Sequence, residues 1–143
     1  MSIKITVING PNLNLLHLRD KELYGEVGLQ KIEASLVNAF PEITFDFFQS
    51  NIEGELIDKI QNCIKAQSAI IINPGGYSHT SVAIKDALDL VQLPKIEVHL
   101  SNIHSRESYR QHSLTAASCD GVIAGLKQDG YHLAVRAILQ LSL

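Results

Sequence analysis

Two apolar periodicities alternate along this chain. Runs dense in β-branched and aromatic residues read as strands: IKITVIN from Ile3 to Asn9, ITFDFFQS from Ile43 to Ser50, SAIIIN from Ser68 to Asn73, KIEVHL from Lys95 to Leu100 and CDGVIAG from Cys119 to Gly125. Between them, apolar positions recur at helical spacing. Ile57, Ile60 and Ile64 mark one face, Ile84, Ala87, Leu88 and Val91 a second, and Ala134, Ala137, Ile138 and Leu141 a third, while a further helix is expected from about Leu29 to Phe40. Strands that alternate with helices are joined by right-handed crossovers, so the pattern predicts an α/β fold: a mostly parallel sheet of five strands covered by helices on both faces. At 143 residues and 45% hydrophobic content, with no Pro/Gly/Ser-rich linker, repeat or charge run, residues 1–143 are expected to form one domain around one core.

That architecture directs attention to particular loops. Ligands of open α/β sheets bind outside the carboxyl ends of the strands, where the strand order reverses. The segments leaving strands are Gly10 to Gly28, Pro74 to Thr80 and Ser101 to about Ala117. The first and third exceed the roughly 2–6 residues usual for such loops, a length typical of lids and binding elements.

Each loop carries candidate chemistry. After the first strand, Asn12 and Asn14 present amides above the sheet edge, where they either hold the loop by local hydrogen bonds or meet a ligand. Neither GxGxxG nor GxxxxGK[ST] is present, which argues against a nucleotide cradle. After the third strand, Asn73 ends the run, Pro74-Gly75-Gly76 turns the chain, and Ser78, Thr80 or Ser81 can cap the next helix. His79 lies beside that helix start, as a surface residue or as a contact to an oxyanion or polyol. In the fourth strand Glu97 and His99 are two apart and share a face, so the carboxylate can hold one imidazole nitrogen while the other points at a substrate. A carboxylate and an imidazole in an apolar strand are costly to bury without such a pairing. Arg106 and Arg110, spaced as one helical turn, form either a solvated face or a clamp for a carboxylate. On the long first loop, Arg19 stands five residues before Tyr24, a fixed cation near a phenol. These groups suit proton transfer on a small anionic polyol.

Charge and cysteine content narrow the classes further. The net charge of −3 and the scattered arginines give no basic stripe for phosphates, so no nucleic-acid partner is expected. No apolar run approaches the ~20 residues of a membrane span, and the N-terminus lacks a basic region followed by a long apolar segment, so no membrane contact and a cytoplasmic location are expected. Cys63 and Cys119 suit buried thiols better than a disulfide or zinc frame, and no GxSxG, HExxH or metal-spaced carboxylate cluster occurs. A phospho-receiver domain of similar fold would need an acidic cluster at the strand ends, which is missing; a flavin-binding domain would be coloured when purified.

The motifs INGPNLNLL, R-x-x-x-x-YG, QSNIEGELID, INPGGYSHTSVAIKDAL and EVHLSNIHSRESYR, in this order and over essentially the whole chain, resemble the type II 3-dehydroquinate dehydratases. The resemblance implies a flavodoxin-like, doubly wound fold, a homododecamer built as a tetramer of trimers, and no cofactor or metal. It implies anti elimination of water from 3-dehydroquinate through an enolate to give 3-dehydroshikimate, in the shikimate pathway to chorismate and aromatic amino acids or in quinate catabolism. By the same resemblance Tyr24 removes the C2 proton, Arg19 supports the tyrosinate, Asn12 holds the water that stabilises the enolate, and His99, oriented by Glu97, protonates the departing C1 hydroxyl. Asn73, His79, Leu100, Ser101 and Arg110 would bind substrate, Asp86 would reach a neighbouring subunit's site, and Arg106 falls in the matching segment. The type I enzymes reach the same product through a lysine Schiff base, and Lys95 is the lysine nearest the site strand. His17-Leu18 stands where the family usually has Gly-Thr, which replaces a hinge glycine with bulk beside Arg19. Gly76 and Ser78 replace the commoner alanine and threonine, a milder departure.

Overall fold

The computed structural model describes residues 2–142. Five strands, β1 (Lys4–Asn9), β2 (Thr44–Gln49), β3 (Ala69–Asn73), β4 (Lys95–His99) and β5 (Gly121–Ala124), form one sheet in the order β2-β1-β3-β4-β5, every pairing parallel. This is the doubly wound order of flavodoxin-like folds, with the reversal between β1 and β3. The expected strands are all present, shorter by up to two residues at an end.

Side-chain alternation along the strands divides the core in two. Ile5 and Val7 of β1, Ile71 of β3 and Ile96 and Val98 of β4 pack with Ile32 and Leu36 of α2 (Leu29–Ala39) and with Tyr131, Ala134, Val135 and Ile138 of α5 (Asp129–Leu141). On the other face, Ile8, Ile70 and Ile72 meet Leu56, Ile60 and Cys63 of α3 (Glu53–Ala66) and Ile84, Ala87 and Leu88 of α4 (Val82–Asp89), with Val91 just beyond. Each such fully buried aliphatic side chain contributes roughly 1.5–3 kcal/mol.

Two helical faces differ from the pattern expected. In α3 the inward stripe is Leu56, Ile60 and Cys63, while Ile64 is 40% exposed. Counting isoleucines alone rotated that face by one position and passed over the cysteine, which packs like a small hydrophobe. In α5 the stripe begins a turn earlier, at Tyr131, and Leu141 lies outside it. Among the described residues no helix is long and apolar enough to cross a membrane.

The sheet places β1, β3 and β4 with their carboxyl ends side by side. Gly10 makes this close approach possible, because a Cβ there would meet the Pro74 carbonyl oxygen at 2.3 Å; instead Gly10 N–H donates to the Asn73 carbonyl at 2.8 Å. The loops after β1, β3 and β4 therefore leave from a common edge.

Candidate active site

The loop after β1 is held at two points. Leu13 and Leu16, on a 3₁₀ stretch from Leu13 to Leu18, sink into the core, and Asp20 caps the short helical turn α1 (Lys21–Tyr24) by accepting from Glu22 N–H at 2.9 Å. Tyr24 packs its ring into the same core and leaves its hydroxyl at the strand ends. Arg19 lies over that ring, its guanidinium carbon 3.9 Å from the centroid, and donates from Nη2 to the Tyr24 hydroxyl at 2.6 Å. Arg106, from the loop after β4, donates to the same oxygen from Nη1 at 2.7 Å and to Ser101 Oγ at 3.3 Å. Tyr24 is thus gripped by two guanidiniums from distant loops.

Across the cleft stands the imidazole. Glu97 is fully buried and His99 nearly so, both on the face of β4 toward α4. His99 Nε2 lies 2.7 Å from Glu97 Oε2; an ionised carboxylate only accepts, so Nε2 carries the hydrogen and Nδ1 is the nitrogen left for the cleft. Ser113 Oγ donates to Glu97 Oε2 at 2.7 Å and Thr115 Oγ1 donates to Oε1. Burial opposes the charge on Glu97, yet the His99, Thr115 and Ser113 hydrogen bonds outweigh it and hold the carboxyl below its usual range. Glu97 is thus held as a carboxylate where an isolated buried carboxyl would be neutral.

Arg19, Tyr24, Asn73, His79, His99, Leu100, Ser101, Arg106 and Arg110 together line one narrow cleft at the strand ends. Its electrostatics favour an anion. Burial pushes the Arg19 guanidinium down from its usual value, with Tyr24 opposing and the like charges of Arg106 and Arg110 adding to the shift. Of these three arginines, Arg110 has a carboxylate close by, Glu107 at 2.9 Å from its Nε, and Arg106 Nε sits 3.8 Å from the same group. Asn73 is fixed from behind: its Oδ1 accepts from Gly75 N–H at 3.1 Å and its Nδ2 donates to Tyr131 Oη at 3.4 Å, while Tyr131 donates to Asn9 Oδ1 at 2.5 Å. His79 Nδ1 lies 2.9 Å from the His112 carbonyl, so this ring too has a set tautomer, and it stacks 6.3 Å from His99.

The comparisons with known proteins agree with this geometry. The family described as dehydroquinase class II matches residues 3–139. Proteins named 3-dehydroquinate dehydratase from Aliarcobacter butzleri and Wolinella succinogenes are 48% and 50% identical to it over 141 residues, which is 97% of this chain and 86% and 85% of those proteins. The crystal structure of type II dehydroquinase from Butyrivibrio crossotus superposes with a TM-score of 0.94 at 42% identity, covering 96% of this chain and 98% of that one. This chain belongs to the class II dehydroquinase family.

Two residues assigned by that resemblance stand outside the cleft of a single chain. Asn12 is exposed, in the left-handed region at φ 71°, and its backbone N–H donates to Asn51 Oδ1 at 3.0 Å. Asp86 is exposed on the outer side of α4. His17 and Leu18 are likewise exposed and do not line the cleft, and a Cβ at Gly76 would meet open space. Of the capping candidates, Ser81 caps α4 by accepting from Ile84 N–H at 2.9 Å, whereas Ser78 turns back to the Gly75 carbonyl. Arg106 and Arg110 lie on successive short turns and not on one helix. Reading the residues alone missed Ser113, Thr115 and Tyr131; only Tyr131 left a signal, as the first member of the buried stripe of α5.

Proposed function

We propose that this chain is a hydro-lyase that dehydrates 3-dehydroquinate to 3-dehydroshikimate by anti elimination through an enolate. The observation that carries this reading is the opposition, across one anion-favouring cleft, of a phenol gripped by two guanidiniums and an imidazole backed by a buried carboxylate. The names of the relatives support the substrate.

Each step follows from the groups in place. Tyr24, as the phenolate, takes a proton from C2, next to the ketone, and the C–H electron pair moves into the carbonyl to give the enolate. Arg19 and Arg106 stabilise the phenolate before transfer by charge and hydrogen bonding, and neither competes as a base, since a guanidinium does not give up its proton in this range. The enolate then re-forms the ketone, the C1–C2 double bond forms, and the C1–O bond breaks as His99 Nδ1 delivers a proton to the leaving oxygen. Water departs, and proton exchange with solvent resets Tyr24 and His99. Asn73, His79, Leu100 and Ser101 position the ring, and Arg110 receives the substrate carboxylate. Asn12 acts on the enolate through a water, and Asp86 completes the site of a neighbouring subunit in a closed homo-oligomer, a dodecamer.

This chemistry needs no cofactor from outside the chain. With it go a place in the cytoplasm and a role, which the relatives' names support, on the shikimate route to chorismate and aromatic amino acids or in quinate breakdown. The direct test is to mix purified protein with 3-dehydroquinate and follow the ultraviolet absorbance of the conjugated enone. A flat trace at high protein concentration overturns the reading.

A further inference from the structure

The segment from His112 to Thr115 belongs to none of the motifs that carry the family resemblance, yet it fastens both imidazoles of the cleft. Its His112 carbonyl fixes His79 Nδ1 at 2.9 Å, and Leu114 N–H donates to the Ser78 carbonyl at 2.7 Å, tying the segment to the loop after β3. Its two hydroxyls go to Glu97. Ser113 takes Oε2, the oxygen that also accepts from His99, and Thr115 takes Oε1. Thr115 is fully buried, and Ser113 Oγ is itself held by accepting from Ala116 N–H at 3.1 Å.

We propose that Ser113 and Thr115 are positioning residues for departure of the hydroxyl: by holding one carboxylate oxygen each, they lock the plane of Glu97 and through it the orientation and tautomer of His99. The proposal rests on the dehydration reading above and adds the part of the chain that keeps the acid aimed. With one donor on Oε1 and two on Oε2, the carboxylate keeps a single orientation toward His99 Nε2, so Nδ1 stays aimed at the leaving group. Without the Thr115 hydroxyl, Oε1 loses its partner in a site closed to water. The carboxylate then rotates or takes up a proton, and either change releases His99 from its alignment. The lowered proton affinity of the Glu97 carboxylate agrees with this arrangement.

Two readouts on one sample separate positioning from mere stability. Because His99 acts after the enolate forms, loss of its alignment slows dehydration and spares removal of the C2 proton. Thr115→Val, which keeps the shape and deletes the hydroxyl, is expected to lower kcat for dehydration at least about tenfold, with KM within about twofold. Exchange of the C2 proton of unreacted 3-dehydroquinate with deuterated solvent, followed by proton NMR, should stay within about twofold, so the ratio of exchange to dehydration rises about tenfold or more. Thr115→Ser restores the wild-type ratio. Ser113→Ala should move the ratio in the same direction and carries the test if Thr115→Val does not fold. The proposal is overturned if exchange and dehydration fall together, if neither falls, or if Thr115→Ser behaves like Thr115→Val. Absence of dehydration by the wild-type protein is a separate outcome, which removes the function itself.

Discussion

The Tyr24 hydroxyl accepts a hydrogen bond from Arg106 Nη1 at 2.7 Å, across 82 residues of sequence, while Arg19, five residues away, holds the same oxygen at 2.6 Å. Both are hydrogen bonds from a cation, and both strengthen when the phenol oxygen is charged. Arg106→Ala is therefore expected to lower kcat by about 100-fold, the size typical of removing one preorganised donor to a reacting oxyanion. Arg106→Lys should recover only part, because a compact, strongly hydrated ammonium on a flexible stem lacks the planar guanidinium that sets Nη1 between Tyr24 and Ser101. Tyr24→Phe should abolish turnover and leave substrate binding nearly intact. Steady-state kinetics with calorimetric binding checks all three, and an Arg106→Ala enzyme with wild-type kcat would remove Arg106 from the base assembly.

Lys95 is committed elsewhere. It begins β4, at the end of the strand opposite His99, and its ammonium donates to the Leu88 and Val91 carbonyls at 2.7 Å each, closing the end of α4. Among the described residues no lysine lines the cleft. Activity should survive borohydride added with substrate, because no imine forms to be reduced. Lys95→Met should keep turnover per folded molecule while lowering stability by roughly 1–3 kcal/mol, the cost of leaving buried carbonyls unpaired. A reduced adduct on any lysine, found by mass spectrometry, would contradict the enolate route.

Cys119 borders the same buried carboxylate. Burial, with the Glu97 charge adding to it, pushes its thiol up to about 12. The nucleophile is the thiolate, so in the folded protein at pH 8 Cys119 should resist iodoacetamide, and it should react readily once denaturant is added. The sign for stability follows: an unfolded thiol ionises near ~8.5, so the contribution of this group is complete below that value and is lost progressively as pH rises toward 12. Rapid alkylation of native protein would place the thiol in a more open setting.

Which features were legible depended on how far apart in sequence the partners lie. Glu97 and His99 could be read from strand alternation alone, since two residues apart on a strand means the same face. Arg19 and Tyr24 share one loop, and a five-residue spacing was enough to suggest a pair. The succession of strands and helices along the chain was readable because every strand carries its own apolar run and every helix its own period. Ser113 and Thr115 were not, because a serine and a threonine in a polar loop carry no mark of the carboxylate they meet after the chain turns back, 16 and 18 residues away. Tyr131 and Asn9 are 122 apart, a pairing that only the packing of α5 across β3 and β4 creates. Arg106 looked like half of a clamp with Arg110. The short turns between them separate the two guanidiniums and send one to Tyr24 and the other to Glu107.

Asp86 sits between two exposed apolar side chains at helical spacing, Val82 at 59% and Leu90 at 62% exposure. A face with an acid flanked by unpaired aliphatics suits contact with another copy of the chain, in keeping with the role proposed for Asp86 in a neighbouring site. Sedimentation should show a large closed assembly. Charging the flanks, as in Val82→Glu with Leu90→Glu, should yield smaller species with reduced turnover, and Asp86→Ala should weaken turnover within an intact assembly. A fully active monomer would sever Asp86 from the site.

Glu97 gives the protein a specific acid sensitivity. Its folded carboxyl gives up its proton more readily than a free one, because the His99, Thr115 and Ser113 donors outweigh the cost of burial. An unfolded glutamate titrates near ~4.3, so above that value both states are ionised and the full stabilisation is present. As pH falls below ~4.3 the unfolded chain binds the proton first, the native state loses ground, and the contribution is gone once pH drops beneath the folded value. Glu97→Gln removes this titration and leaves every other carboxylate in place. Its stability should therefore lie below wild type at pH 6 by roughly 1.5–3 kcal/mol, the usual worth of a hydrogen bond to a charged group, and the gap should narrow as pH falls below ~4. Thermal unfolding of the two proteins between pH 3 and pH 6 measures it directly, since acid effects of the remaining carboxylates cancel in the difference. A gap that stays constant with pH would mean that Glu97 is not held as a carboxylate by its three donors, and the acid half of the mechanism would need a different anchor.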